Sequence, residues 1–165
     1  MSKYDRYPGG ADALRKAGYY SADETSRLTG IPMHSLQNWH AAGFIEASIN
    51  LGPGRDRGRW FSLRDVIGLR VIQSLRDRRI SVQRLRQLGE ALKQIKKEDR
   101  TLEALASSRL VVLKDRTVLL LDNLQLIDLI TRQSVITHLV AIELRPVIEE
   151  MKDRIAVLEA KRLAA

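Results

Sequence analysis

The sequence predicts a mainly α chain with small β elements, built in two parts. Three observations carry this. First, residues 20–65 hold two short helical segments separated by Thr29-Gly30-Ile31-Pro32, followed by a glycine- and arginine-rich loop, GPGRDRGRWF. Second, all eight aromatic residues (four Tyr, two Trp, two Phe) lie at or before Phe61, and the rest is built on Leu, Ile and Val. Third, residues 1–100 hold 19 Lys/Arg against 11 Asp/Glu, a net +8, whereas residues 101–165 hold 9 of each and are neutral. A basic, aromatic first part and a neutral, aliphatic second part suggest two domains. The expected boundaries are an arm over 1–18, a first domain over 19–98 and a second over 101–165.

The arm is punctuated by Pro8-Gly9-Gly10, although ADALRKAG can form a short helical turn. The first helix should run from Ala22 to Leu28. Ser21 caps it, Glu24 sits at the capping-box position, and Gly30 fits the left-handed residue that ends it. The second helix should run from Pro32 to Ala42, with Pro32 in the first turn, where a missing N–H does no harm. Phe44-Ile45-Glu46 begins a strand, Gly52-Pro53-Gly54 makes a loop, and Arg59-Trp60-Phe61 returns, which is a hairpin wing. Ser62 and Asp65 form a second capping box for a third helix, whose core face is Leu63, Val66, Ile67, Val71 and Leu75. Ser81 should cap a fourth helix with Leu85, Leu88, Leu92 and Ile95 as its apolar stripe.

KKEDR at 96–100 is a polar hinge. TLEALASS suggests a short helix. RLVVLKDRTVLLLD suggests a hairpin turning at Lys114-Asp115-Arg116, and residues 133–142 a further strand. LQLIDLI fits strand or helix equally. The last helix places Leu144, Ile148, Met151, Ile155 and Leu158 at a four-three-four-three spacing, a heptad seam expected to form a dimer.

The absence of cysteine removes disulfides and thiolate metal sites. The N-terminus has no signal-type apolar run, and LVVLKDRTVLLLD is broken by charge, so a cytosolic chain is expected. Asp122, Asp128 and Glu143 are scattered among apolar segments with no nucleophile nearby, and His138 stands alone. No enzyme site, cofactor or metal is expected.

The basic residues point instead to duplex DNA. Residues 55–86 hold ten arginines against three aspartates. A charge run is ordinarily a solvated face, but arginine forks suit phosphate. On the second helix Leu36 can pack inward. That leaves His34, Ser35, Gln37, Asn38 and His40 for the groove or its walls: Gln and Asn can read adenine edges, and Ser and His suit phosphate oxygens. Trp39 is open between packing and contact. Arg55, Arg57 and Arg59 alternate along the wing and share one face. Trp60 and Arg64 complete the expected DNA-binding set.

YYSADETSRLTGIPMHSLQNWHAAGFI and GRWFSLRDVIGLRVIQSLRDRRISVQRLRQL together resemble the MerR family of bacterial winged-helix transcription regulators, over roughly residues 19–95. The resemblance implies that His34, Ser35 and Gln37 fall where the family touches DNA from its recognition helix. It puts Arg59 on the wing arginine and Trp60-Phe61 on the wing aromatics. Gln37-Asn38-Trp39-His40 departs from the family's usual Arg-Tyr-Tyr-acid, and the family's long coiled-coil helix and cysteine metal loops are absent. The tail resembles the C-terminal domains of MerR-like proteins tied to toxin–antitoxin operons. The expected function is a homodimeric regulator, repressor or autoregulator. The alternatives are an antitoxin-type protein whose tail binds a protein partner, and an architectural DNA-bending factor of excisionase or segregation type.

Overall fold

The computed structural model describes residues 9–43, 45–51, 58–97, 99–132 and 138–165. The chain divides into two compact units, Met1–Arg70 and Val71–Ala165. This boundary lies inside a helix, about thirty residues earlier than the polar hinge suggested.

In the first unit α1 (Gly10–Lys16) leads to β1 (Tyr20–Ser21), α2 (Ala22–Thr29), α3 (Met33–Ala41), β2 (Ile49–Asn50), β3 (Arg59–Phe61) and the start of α4 (Leu63–Asp77). The expectation of an arm over 1–18 is corrected for its described part. Leu14 of α1 is 2% exposed and belongs to the core.

Helix α2 begins as its local sequence dictates. The Ser21 hydroxyl accepts from the Glu24 amide at 3.2 Å, and the Glu24 carboxylate accepts from the Ser21 amide at 3.0 Å. Gly30, at φ 77°, ends it in the left-handed region. The turn into α3 is closed by side chains: the Ser26 hydroxyl donates to the Ile31 carbonyl at 2.6 Å, and the Ile31 amide donates to the Thr29 hydroxyl at 3.3 Å. Arg70 of α4 donates to the Thr29 carbonyl at 3.4 Å, at the end of α2.

β3 is the central strand of an antiparallel sheet ordered β1-β3-β2. Trp60 faces Ser21 on one side and Ile49 on the other. The core combines Tyr20, Leu28, Ile31, Leu36, Trp39, Trp60, Phe61 and Ile67, all buried. The expected capping box of α4 is present. Asp65 accepts from the Ser62 amide at 3.0 Å, and its own amide donates to the Ser62 hydroxyl at 3.2 Å.

In the second unit the rest of α4 is followed by a short 3-10 turn (Val82–Arg84), α5 (Leu88–Lys96), α6 (Leu102–Ala106), β4 (Arg109–Leu113), β5 (Val118–Leu121), α7 (Asn123–Arg132), β6 (His138–Glu143) and α8 (Leu144–Ala164). The single fourth helix expected from Ser81 is corrected. The segment between the 3-10 turn and α5 is extended, because the Arg86 amide donates to the Arg116 carbonyl at 2.8 Å and the Val118 amide donates to the Arg86 carbonyl at 2.9 Å. Those backbone groups are then not available to an α-helix.

The sheet is ordered β5-β4-β6 and antiparallel. Leu110, Val111 and Val112 on the central strand are all buried, while β5 alternates, burying Val118 and Leu120. The ambiguous LQLIDLI is helical, within α7. Asp122 and Gln125 cap it reciprocally, at 2.7 and 3.0 Å.

The α8 seam is taken up by the unit's own core, where α8 packs on α6. Leu144 and Met151 are fully buried, Ile148 is 2% exposed and Ile155 9%, while Leu158 is half-buried. The seam's spacing selects a buried face correctly, but that face meets the same chain. Among the described residues, no helix is long and apolar enough to cross a membrane.

Candidate nucleic-acid interface

Helix α3 sorts its residues by face. Ser35, Leu36 and Trp39 are buried, while His34, Asn38 and Ala41 are exposed and Gln37 and His40 half-exposed. The outer positions 34, 37, 38 and 41 recur at helical spacing. They form a polar strip with an imidazole at one end and two amides in the middle. Leu36 and Trp39 hold the helix onto the core from the opposite side. Ser35 and Trp39 lie one turn apart on that inner side. Ser35, at 7% exposed, therefore faces the core and is corrected from the expected contact set.

Trp60 is corrected on the same ground. It is 2% exposed on the central strand, and the Arg15 guanidinium lies over its ring, 5.6 Å from the centroid. The same guanidinium bonds Glu24 at 2.9 Å. Arg15 thus links α1, the capping box of α2 and the sheet. Sequence reasoning missed this residue, whose only sequence signal is Leu14 beside it in a run of good helix formers.

Arg59 is half-exposed on β3, opposite Asn50. The Leu51 amide donates to the Gly58 carbonyl at 2.6 Å, continuing the β2–β3 pairing past Arg59. Arg55 and Arg57 lie outside the described residues. Arg64 is half-exposed in the first turn of α4.

The end of α3 and the β2–β3 hairpin come together electrostatically at His40. Partial burial holds the imidazole pKa below its ordinary value, the Arg59 cation lowers it further, and Glu46 opposes both. The loop entering β2 is tied to α4. The Asp65 carboxylate accepts from the Ser48 amide at 3.1 Å and from the Ser48 hydroxyl. The arrangement supplies two amides and an imidazole on an outward helix face, flanked by a cationic hairpin. It has the groups to hydrogen-bond base edges and phosphates. Among the described residues, no group of three or more His, Cys, Asp or Glu side chains is placed to hold a metal ion.

The model of the MerR helix-turn-helix regulatory protein family matches residues 20–101. The chain belongs to the MerR family. Membership makes it a DNA-binding regulator by class, and the match spans the helix-turn-helix and the β2–β3 hairpin. The matched segment begins after α1, so α1 with its Leu14 and Arg15 contacts lies outside it, as do most of the second unit's elements. No curated protein matches the chain significantly.

Proposed function

We propose that the chain binds duplex DNA sequence-specifically as a homodimer and represses transcription, including that of its own operon. The carrying observation is the outward strip of α3, with His34, Gln37 and Asn38 presented to solvent by a helix whose other side is buried. Gln37 and Asn38 read base edges in the major groove. His34, His40 and Arg59 contact the phosphates that flank them, with Arg55, Arg57 and Arg64 adding charge along the wing and the start of α4. The test is a footprint on the chain's own promoter. Protection of a two-fold repeated site supports the reading, and uniform protection or none counts against it.

One winged head reads one half-site, so an operator with two-fold symmetry needs two heads. With most of the heptad seam inside the core, the dimer surface is the outer side of α8. There Ala156, Val157, Ala160, Leu163 and Ala164 are all exposed, Val157 at 56% and Leu163 at 90%. They recur at helical spacing on the side opposite the seam. A second α8 crossing antiparallel at Val157 sets Asp153 of each copy opposite Lys161 of the other. Light scattering that returns monomer mass at micromolar concentration, with and without DNA, contradicts this.

The antitoxin-type reading keeps one specific support. Leu124 and Ile127 on α7 are 79% and 59% exposed, an apolar pair that suits a protein partner. Co-purification of a partner that is lost on Leu124→Asp favours that reading over a regulator acting alone.

A further inference from the structure

The second unit, residues 71–165, holds 18 Lys/Arg against 13 Asp/Glu, a net +5, and its cations are not evenly spread. Arg109, Arg145 and Arg154 are each ion-paired, with Glu143 at 3.2 Å, Glu103 at 2.7 Å and Glu150 at 2.5 Å. Arg84, Arg86, Lys114 and Arg116 are different. All four side chains are exposed, and none makes an ion pair among the described residues.

The fold gathers them. The β4–β5 turn is held by the Arg116 amide donating to the Leu113 carbonyl at 2.9 Å and the Leu113 amide donating to the Thr117 carbonyl at 2.8 Å. The extended segment at Arg86 is hydrogen-bonded across this turn through both its amide and its carbonyl. Arg86 is therefore held at the hairpin tip that carries Lys114 and Arg116, about thirty residues away in sequence, and Arg84 lies two residues before it at the end of the 3-10 turn. Asp115 is the acid among them. Its carboxylate accepts from the Thr117 amide at 2.9 Å, and Arg86 acts on it electrostatically. Four cations against one acid leave a local charge of +3.

Gathering four cations around a single acid opposes folding. A second feature points the same way. Arg116 sits at φ 71°, where glycine or asparagine fits at less cost, and Gln87 beside Arg86 sits at φ 59°. A strained arginine at an exposed tip, among cations that one acid does not balance, is what an anionic partner would use.

We propose that this hairpin tip, formed by Arg84, Arg86, Lys114 and Arg116, is a second DNA-backbone contact surface that binds duplex phosphates without reading sequence. It rests on the reading of the chain as a duplex-DNA binder, but none of its residues belongs to the base-reading helix. It would raise affinity for any duplex rather than select one.

The test measures binding of the full chain to a mixed-sequence DNA duplex over a range of salt. The wild type is compared with the Arg84→Gln, Arg86→Gln, Lys114→Gln, Arg116→Asn variant. Asparagine tolerates the positive φ at 116, and the Arg86 bridge uses backbone atoms only, so the fold should survive; circular dichroism checks it. Each phosphate neutralised adds about 0.9 to the log–log salt slope, so loss of two to four contacts lowers the slope by about 2–4. If the fourfold variant fails to fold, Lys114→Gln with Arg116→Asn alone should lower it by about 1–2. An unchanged slope in a folded variant that still binds overturns the tip surface and leaves the α3 reading standing. A wild type that binds no duplex overturns both. A slope change seen with single-stranded RNA but not with duplex DNA overturns the proposal in favour of an RNA surface.

Discussion

Replacing Asp65 by alanine should destabilise the first unit by removing one acceptor that serves two elements. Asp65 is 5% exposed. Its carboxylate accepts from the Ser62 amide, closing the capping box of α4, and from both the amide and the hydroxyl of Ser48, which leads into β2. The Ser62 hydroxyl still caps α4 in the variant, so loss of the reciprocal half of the box costs at most about 1 kcal/mol, that of a lost helix cap. Each hydrogen bond to a charged acceptor contributes about 1.5–3 kcal/mol. Ser48 is exposed, so water can replace the carboxylate there and only part of that contribution is lost. The net expectation for Asp65→Ala is about 2–3 kcal/mol. Asp65→Asn keeps an acceptor without the charge and should cost about half as much. Urea denaturation followed by circular dichroism measures both. DNA affinity, measured below the unfolding range, should also fall for the alanine variant, because the hairpin carrying Arg59 loses its tether to α4. An alanine variant within about 0.5 kcal/mol of wild type, or one no worse than the asparagine variant, would refute the reasoning.

Leu14→Ala should cost about 2–4 kcal/mol in denaturant, since it opens a cavity beneath α1; a neutral result would mean that α1 does not belong to the folded unit. Arg59→Ala should weaken binding to all duplexes alike in a titration, because phosphate contacts position without reading sequence; a changed base preference would contradict that role. His40 titrates below its ordinary value of 6.5 in the folded chain, so the unfolded chain takes up a proton first. Stability should therefore hold above about pH 6.5 and decline as pH falls from there through the lower folded value. Thermal melts of His40→Gln should show a shallower acid decline than wild type, and parallel curves would exclude His40 as the cause.

Local signals in the sequence carried far. The capping boxes at Ser21–Glu24 and Ser62–Asp65 were legible because each needs only residues three apart. Gly30 was legible because its turn demands a positive φ. The buried side of α8 followed from spacing alone. What the sequence hid was set by distant partners. Helix α1 looked like an arm because its anchors, Arg15 over Trp60 and Arg15 on Glu24, join residues far apart in the chain. The periodic run after Ser81 looked like one helix because nothing local announces that the Arg86 backbone is held by the β4–β5 turn. A heptad seam names a buried face but not its partner, which is why Leu144, Ile148 and Met151 suggested a dimer and instead fill the unit's own core. Within α3, Ser35 had suitable chemistry for phosphate but the wrong side of the helix. The α7 helix did carry a local signal, the Asp122–Gln125 pair, which its apolar run obscured.

The central claim is that the outward strip of α3 reads sequence. Selection of bound duplexes from a randomised pool, run in parallel on wild type, Gln37→Ala and Asn38→Ala, addresses it directly. Each variant should relax preference at particular base pairs by about 1–3 kcal/mol while leaving the rest of the motif intact. An unchanged motif from both variants would contradict the account, and would place sequence reading in the wing or in the shape of the DNA.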